Sequence, residues 1–389
     1  MKGGDFVQDA DFLKYGRYLT SLIASVILNT TPPEPFENID WFILFELAKK
    51  HDVAATIYPA IKNMALPEDA MQAFTKDRNR MVARTARQNI EAERVFAELE
   101  KNSIKYIKLK GSHIKNYYPE GCIRTFGDVD LCLTPEDREK ARPIMEALGY
   151  SLEKDVDYHD EYEKDKFHIF ELHSNVISYD YPYADLFEEP FSKAVALTDN
   201  NPAYVLTNEY LYLHLFFHLY KHFNTSGCGI RFFADFVVFE NYVKNVDYDF
   251  ILSVLKKYRM MDFYKTFKNL NAYFFENKKA DKTTEQIAMY IFKSNTTGLS
   301  ERNMANYSSG EKCRYFLRIW FPPVSELSNR YPVLKKAPVL LPVCWVRRAF
   351  SSLFFKHDSL KTHINEVKTY NSSEFKKIKK TRQLASKEK

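Results

Sequence analysis

A chain of 389 residues is long enough for two or three compact units, and an aromatic content of 15% (31 Phe, 26 Tyr) excludes a largely disordered protein. The formal charge of +5 sits at one end: residues 361–389 carry nine Lys/Arg against three Glu, a net of +6. The other 360 residues therefore sum to about −1, which gives little support to a broad polyanion-binding body.

The N-terminal stretch MKGGDFVQDADFLKYGRY is polar and acidic, unlike a secretory signal. Residues 11–102 read as helical. LKYGRYLTSLIASVILNT and IDWFILFELAKKHDVAATIYPAI carry apolar residues every three or four positions, with the turn TPPEPFEN between them. A long polar-rich helix over 71–102 follows, with Val95, Phe96 and Leu99 on a face suited to a sheet. From Ile104 the pattern changes. YIKLKG reads as strand and turn, SHIKNYYPEG as a helix ended by Pro119 and Gly121, FGDVDLCL as a strand, and KFHIFELHSNVIS as another. Between these strands, Thr134-Pro135-Glu136-Asp137 is a helix start: a hydroxyl N-cap, proline at the first position, acids in the first turn.

Helices resume at Asn208 through EYLYLHLFFHLYKHF and DFVVFENYVKNV. A proline-punctuated segment over residues 320–350 comes next, and the last part is expected to be a loosely held basic tail. The fold class is α+β, with a helical N-terminal region (1–102), a small mixed-sheet unit (103–205), a helical C-terminal region (206–355) and the tail (356–389). Five scattered cysteines, Cys122, Cys132, Cys228, Cys313 and Cys344, include no C-x-x-C pair. They argue against a disulfide framework and a structural zinc site. No eighteen-residue window is apolar and uncharged, so no membrane span is expected and the cytoplasm is the expected location.

The densest chemistry lies in KLKGSHIKNYYPEGCIRTFGDVDLCL, residues 108–133. On an extended strand Asp128 and Asp130 point to one face while Val129 and Leu131 point to the other. Two carboxylates so placed repel each other unless a cation joins them, and hard divalent ions take such ligands together with water and phosphate oxygens. A Gly-Ser turn upstream offers backbone N–H groups and a hydroxyl to phosphates. A third acid, Glu171, lies in a later strand-like run, with His173 on its face. Two carboxylates that clamp metal ions, and a third that positions one and takes a proton, suit two-metal phosphoryl transfer.

His214, His218 and His222 recur every four residues along one helix face. Three readings are open: they share an ion, His218 and His222 join Arg231 in facing a cleft, or the rings are buried polar groups satisfied by the backbone. Asp235, four residues after Arg231, is placed to pair with it on the helix.

Lys-Gly-Ser, Tyr-Tyr-Pro, an Arg, Gly-Asp-Val-Asp-Leu and a later Glu-Leu-His together resemble the nucleotidyltransferase superfamily of DNA polymerase β type. Within it, they are most similar to a branch of uncharacterised nucleotidyltransferases found in bacteria. The resemblance spans roughly residues 85–350 and includes the phrases FPPVSELSNRYPVLKK and LLPVCWVRR. It implies a nucleotidyltransferase palm that uses Mg²⁺ (or Mn²⁺), with Asp128, Asp130 and Glu171 as catalytic metal ligands. Lys110, Gly111, Ser112 and Arg124 would bind the triphosphate, and His218, His222 and Arg231 would contact nucleotide or acceptor. The spacing from Ser112 to Asp128 is longer than in many members, and the third acid is Glu where Asp is commoner.

The implied reaction moves an NMP from an NTP to a hydroxyl of a small molecule, RNA or protein, with release of pyrophosphate and no membrane involved. Two other readings share the fold: a non-catalytic nucleotide-binding or regulatory module, and a toxin-like enzyme that modifies tRNA or protein. Nucleic acid stays open as a partner through the basic tail.

Overall fold

The computed structural model describes residues 9–119, 124–156, 159–165, 167–199, 201–295, 324, 333–345 and 372–386. In chain order, α1 (Asp9–Ile27), α2 (Trp41–Lys50), α3 (Ala54–Ile61) and α4 (Glu68–Lys101) precede the sheet. Then come β1 (Tyr106–Lys108), α5 (Lys110–Ile114), β2 (Val129–Cys132), α6 (Pro135–Ala147), β3 (Ser151–Val156), β4 (His159–Asp165), β5 (His168–His173), β6 (Ala194–Ala196) and β7 (Ala203–Leu206). Helices α7 (Asn208–Asn224), α8 (Ile230–Tyr242), α9 (Tyr248–Lys257), α10 (Met261–Phe275) and α11 (Lys282–Phe292) follow, with α12 (Val333–Lys336) and α13 (Ser372–Ser386) beyond them.

The α+β class holds. The seven strands form one sheet in the order β3-β4-β5-β2-β1-β7-β6. It is mixed, because β1/β7 and β2/β5 are parallel and the other neighbours antiparallel. Strand alternation gives its faces different jobs. Tyr106, Val129, Leu131, Tyr162, Phe170 and Leu172 turn to one side and pack with Val95, Phe96 and Leu99 of α4 and Ala141 and Met145 of α6. Ile107 and Cys132 turn to the other side and join a larger core built from the N-terminal helices and α7 to α11. The sheet thus divides two cores, and its second face carries the acids.

Local chemistry explains several helix boundaries. The Thr134 hydroxyl accepts the Asp137 N–H at 3.1 Å, capping α6 where the sequence predicts it. Asp40 caps α2 in the same way, accepting the Phe42 N–H at 2.8 Å. The run 39–61 divides into α2 and α3 because Asp52, with φ +57°, turns the chain left-handed between them.

Other expectations need correcting. The segment read as a helix from Ser112 is a short α5 followed by one 3-10 turn, Lys115–Tyr117. β3 and β4 are not expected from the sequence, since SLEKDV and HDEYEKD are too polar to look like strands. Within the expected tail, α13 is a packed helix: Ile378 and Ala385 enter the main core, and Arg382 donates to the Tyr290 hydroxyl at 3.0 Å and to the Thr225 carbonyl at the end of α7. Gly121, Cys122, Cys313 and most of the proline-punctuated segment lie outside the described residues. No helix among the described residues is long and apolar enough to cross a membrane.

Candidate active site

Sheet register assembles the acids. In the parallel β2–β5 ladder Asp130 lies opposite Glu171, and Cys132 opposite His173. Paired residues share a face, so Asp130, Glu171 and His173 project together. Asp128 sits just before β2 at the loop Phe126-Gly127. His173 Nε2 lies 3.1 Å from Asp130 Oδ1 and 3.1 Å from Glu171 Oε2. Lys110 Nζ donates to the same Asp130 oxygen at 2.5 Å. Lys110 holds that position from a left-handed backbone, φ +43°. A non-glycine residue pays about 1 kcal/mol there, and such strain collects at functional positions.

The electrostatics separate the two aspartates. The Asp128 carboxyl is pushed up to about 6, first by the neighbouring Asp130 charge and then by burial. Burial acts against the charge on Asp130 too, but Lys110 and His173 outweigh it and hold this carboxyl well below the usual range. Glu171 is lowered as well, its burial outweighed chiefly by the hydrogen bond from His173. Burial would lower Lys110 and His173, yet both are raised by the acids they touch. The face is therefore an anionic cluster with cationic side chains bound into it. Asp130, Glu171 and His173 form a donor group, one ligand atom from each, whose atoms lie within 4.8 Å of one another, which fits a divalent cation.

Across from the acids a cavity of about 240 Å³ opens between the sheet and helices α7 and α8. Lys110, Gly111, Asp128, Asp130 and Glu171 line its floor, and Arg124 borders it. His218, Lys221 and His222 from α7, with Arg231, Phe232 and Asp235 from α8, form the opposite wall. His218 and His222 rings lie 5.4 and 5.1 Å from the Phe232 ring, making an aromatic surface over the acids. His214 faces inward instead, fully buried, with neither ring nitrogen hydrogen-bonded among the described residues, and burial lowers it to about 3. The two metal-capable donor groups among the described residues contain none of these three histidines.

Two ion pairs brace the cavity rim. Arg124 grips Asp235 through two bonds, Nε–Oδ1 at 3.1 Å and Nη2–Oδ2 at 2.7 Å, while the Tyr118 hydroxyl donates to Oδ1 at 2.8 Å. Arg231 Nη1 donates to Asp52 Oδ2 at 2.9 Å and to the Thr125 carbonyl at 3.0 Å. The expected Arg231–Asp235 pair is therefore replaced by two crossed pairs, each reaching another part of the chain. Gly111 lies under Arg124, where an added Cβ would run into the guanidinium. Ser112 is buried beside it, with its hydroxyl donating to the Leu109 carbonyl at 2.6 Å, and it is not part of the cavity lining.

Several residues that shape the site carry no motif. Gln88 on α4 donates to the Phe126, Gly127 and Phe167 carbonyls at 3.3, 3.3 and 2.9 Å, tying the loop before Asp128 to the turn before β5. A lone glutamine in a polar helix gives no sequence signal. Lys221 is a lining cation that forms no ion pair among the described residues, whereas Lys110, Arg124 and Arg231 each hold a carboxylate. Its spacing of three from His218 is the one sequence signal that marks it, and the more conspicuous histidines mask that signal.

A family described as uncharacterised nucleotidyltransferase matches this sequence over residues 37–275, more than half of the chain. The match begins well before the region of resemblance read from the motifs and ends before the proline-punctuated phrases. No curated protein and no solved structure matches the chain.

Proposed function

Because the chain belongs to the uncharacterised nucleotidyltransferase family, we propose that it is a metal-dependent enzyme that moves an NMP from an NTP to a hydroxyl acceptor. The observation that carries this reading is the convergence of Asp128, Asp130 and Glu171 at the floor of one cavity bordered by cations. Asp128, Asp130 and Glu171 would hold Mg²⁺ or Mn²⁺. A bound divalent ion neutralises charge that develops on the phosphoryl oxygens. Lys221, with no carboxylate of its own, binds the triphosphate. Lys110 adds its charge from the floor, and the backbone at Gly111 approaches the phosphates from α5, with Ser112 behind it bracing the turn through its bond to the Leu109 carbonyl.

In the transfer itself the acceptor oxygen bonds to the α-phosphorus and the α–β bridging P–O bond breaks. Pyrophosphate leaves with the electron pair, and Glu171 takes the hydroxyl proton. Arg124 and Arg231 act by holding the cavity rim, while His218, His222 and Phe232 offer ring faces to a base or acceptor. The intact acid trio weighs against a purely binding or regulatory module. The acceptor is a small molecule, an RNA or a protein, and three buried thiols (Cys132, Cys228, Cys344) suit the reducing cytoplasm.

A thermal-shift panel of the four NTPs, with and without the metal, tests the reading. A ligand at about a hundred times its Kd stabilises by about 2.7 kcal/mol. At least one NTP should give a metal-dependent shift that is lost in Asp128→Asn/Asp130→Asn. A shift that survives this double substitution would refute the assignment.

A further inference from the structure

The acid face carries more than carboxylates. The antiparallel β4–β5 ladder places His159 opposite His173 and Glu161 opposite Glu171, so β4 extends both rows of the β2–β5 pairing. One row across the sheet reads Asp130, Glu171, Glu161; the next reads Cys132, His173, His159. Two overlapping donor groups result, Asp130/Glu171/His173 and His159/Glu161/Glu171, each with ligand atoms within 4.8 Å of one another and each containing an imidazole. Glu171 is common to both.

The His173 ring is fixed for this position. Its backbone is held in the ladder, with its carbonyl accepting the Leu133 N–H at 2.8 Å. The ring stacks on His159 with centroids 5.4 Å apart and planes 24° apart. Its Nε2 edge therefore meets both Asp130 Oδ1 and Glu171 Oε2 at the same 3.1 Å. A small ion between those two oxygens would meet the nitrogen as well. Mg²⁺ favours an all-oxygen shell, whereas imidazole suits first-row ions such as Fe²⁺, Ni²⁺ and Zn²⁺; Mn²⁺, the most oxygen-seeking of that row, is the stringent and EPR-visible probe.

We propose that His173 Nε2 gives up the proton it holds between Asp130 and Glu171 and becomes a direct ligand of the ion these acids hold, the proton leaving to solvent as the metal enters, so that the site takes a first-row transition ion, probed with Mn²⁺, in preference to Mg²⁺. The inference rests on the reading of this face as the metal site. It makes His173 more than a residue that orients two acids, and it assigns the preference to one side chain.

The test is pulsed EPR of the full-length protein with one equivalent of Mn²⁺, beside calorimetric titrations with Mn²⁺ and Mg²⁺. Wild type should show nitrogen modulation of the Mn²⁺ signal, retained in His159→Gln and lost in His173→Gln. His173→Gln should also weaken Mn²⁺ binding by about tenfold or more, since even residues one shell behind a ligand cost about that much, and weaken Mg²⁺ binding much less. The wild-type spectrum bears on the proposal even where the variant folds poorly. Mn²⁺ bound without nitrogen modulation, yet weakened by Asp130→Asn, would overturn this inference and leave the carboxylate metal site standing. Modulation lost in His159→Gln instead would overturn it by naming another nitrogen. Mn²⁺ binding that ignores Asp130→Asn, or no binding, would overturn both.

Discussion

Glu171 stands directly across the parallel β2–β5 ladder from Asp130, so the third acid reaches the first two through sheet register. Some forty residues of chain, including α6 and the β3–β4 hairpin, intervene. A one-residue slip of β5 would send Glu171 into the apolar core and Leu172 into the cavity. The cluster's geometry is thus as stable as the ladder, and its cost falls on the side chains.

That cost is measurable at Asp128. Its carboxyl, pushed up to about 6 from an ordinary value of 3.8, is protonated in the native state over a pH range where the unfolded chain has already lost the proton. Native protein then binds more protons than unfolded protein, so stability falls as pH rises from about 4 to 6. Asp128→Asn should remove this dependence. Without metal at pH 7 the variant should be more stable than wild type by about 1 kcal/mol or more, since each tenfold change in proton affinity is worth about 1.4 kcal/mol. The difference should vanish below pH 4, and urea denaturation across pH checks it.

Gly111→Ala should destabilise the protein by about 1–3 kcal/mol, the usual cost of overfilling a packed site. The new methyl meets Arg124, which two bonds to Asp235 hold in place. Denaturation midpoints report the loss, and a Gly111→Ala variant as stable as wild type would show that Arg124 moves aside freely.

The buried Arg124–Asp235 pair should behave asymmetrically. Arg124→Met alone leaves Asp235 buried and short of its charge partner, at a cost of about 3–5 kcal/mol. Adding Asp235→Leu should recover much of this, because a buried pair replaced by apolar groups is often neutral. A double-mutant cycle in denaturant measures the coupling.

Gln88→Ala should cost about 1–3 kcal/mol by removing a hydrogen-bond donor from the Phe126, Gly127 and Phe167 carbonyls. Since two of those carbonyls, Phe126 and Gly127, belong to the loop carrying Asp128, metal affinity should fall together with stability. Titration calorimetry on the folded variant separates the two effects.

Much of this is legible in the sequence because it is local. The Asp-Val-Asp alternation, the Thr134 cap and the helical periodicities each depend on neighbours within a few residues. The hidden parts depend on distant ones. Arg231 looks like a partner for Asp235 four residues on, yet each finds a stronger match elsewhere, Asp52 and Arg124, that only tertiary packing brings near. β3 and β4 carry alternating charges that suit a hairpin half open to water, and this pattern lacks the apolar signal that marks β2 and β5. The last helix reads as a polar tail because only two buried apolar residues among those described, Ile378 and Ala385, and one arginine anchor it.

The most direct test of the central claim follows the phosphate. The purified protein would be incubated with each NTP labelled at the α- or the γ-phosphate, divalent metal, and an extract of its source cells as the supply of acceptors. The α-label alone should pass to a product, the γ-label should leave as pyrophosphate, and Asp128→Asn and Asp130→Asn should abolish both. Transfer of γ-label to the acceptor, or undiminished α-transfer by either variant, would contradict that claim.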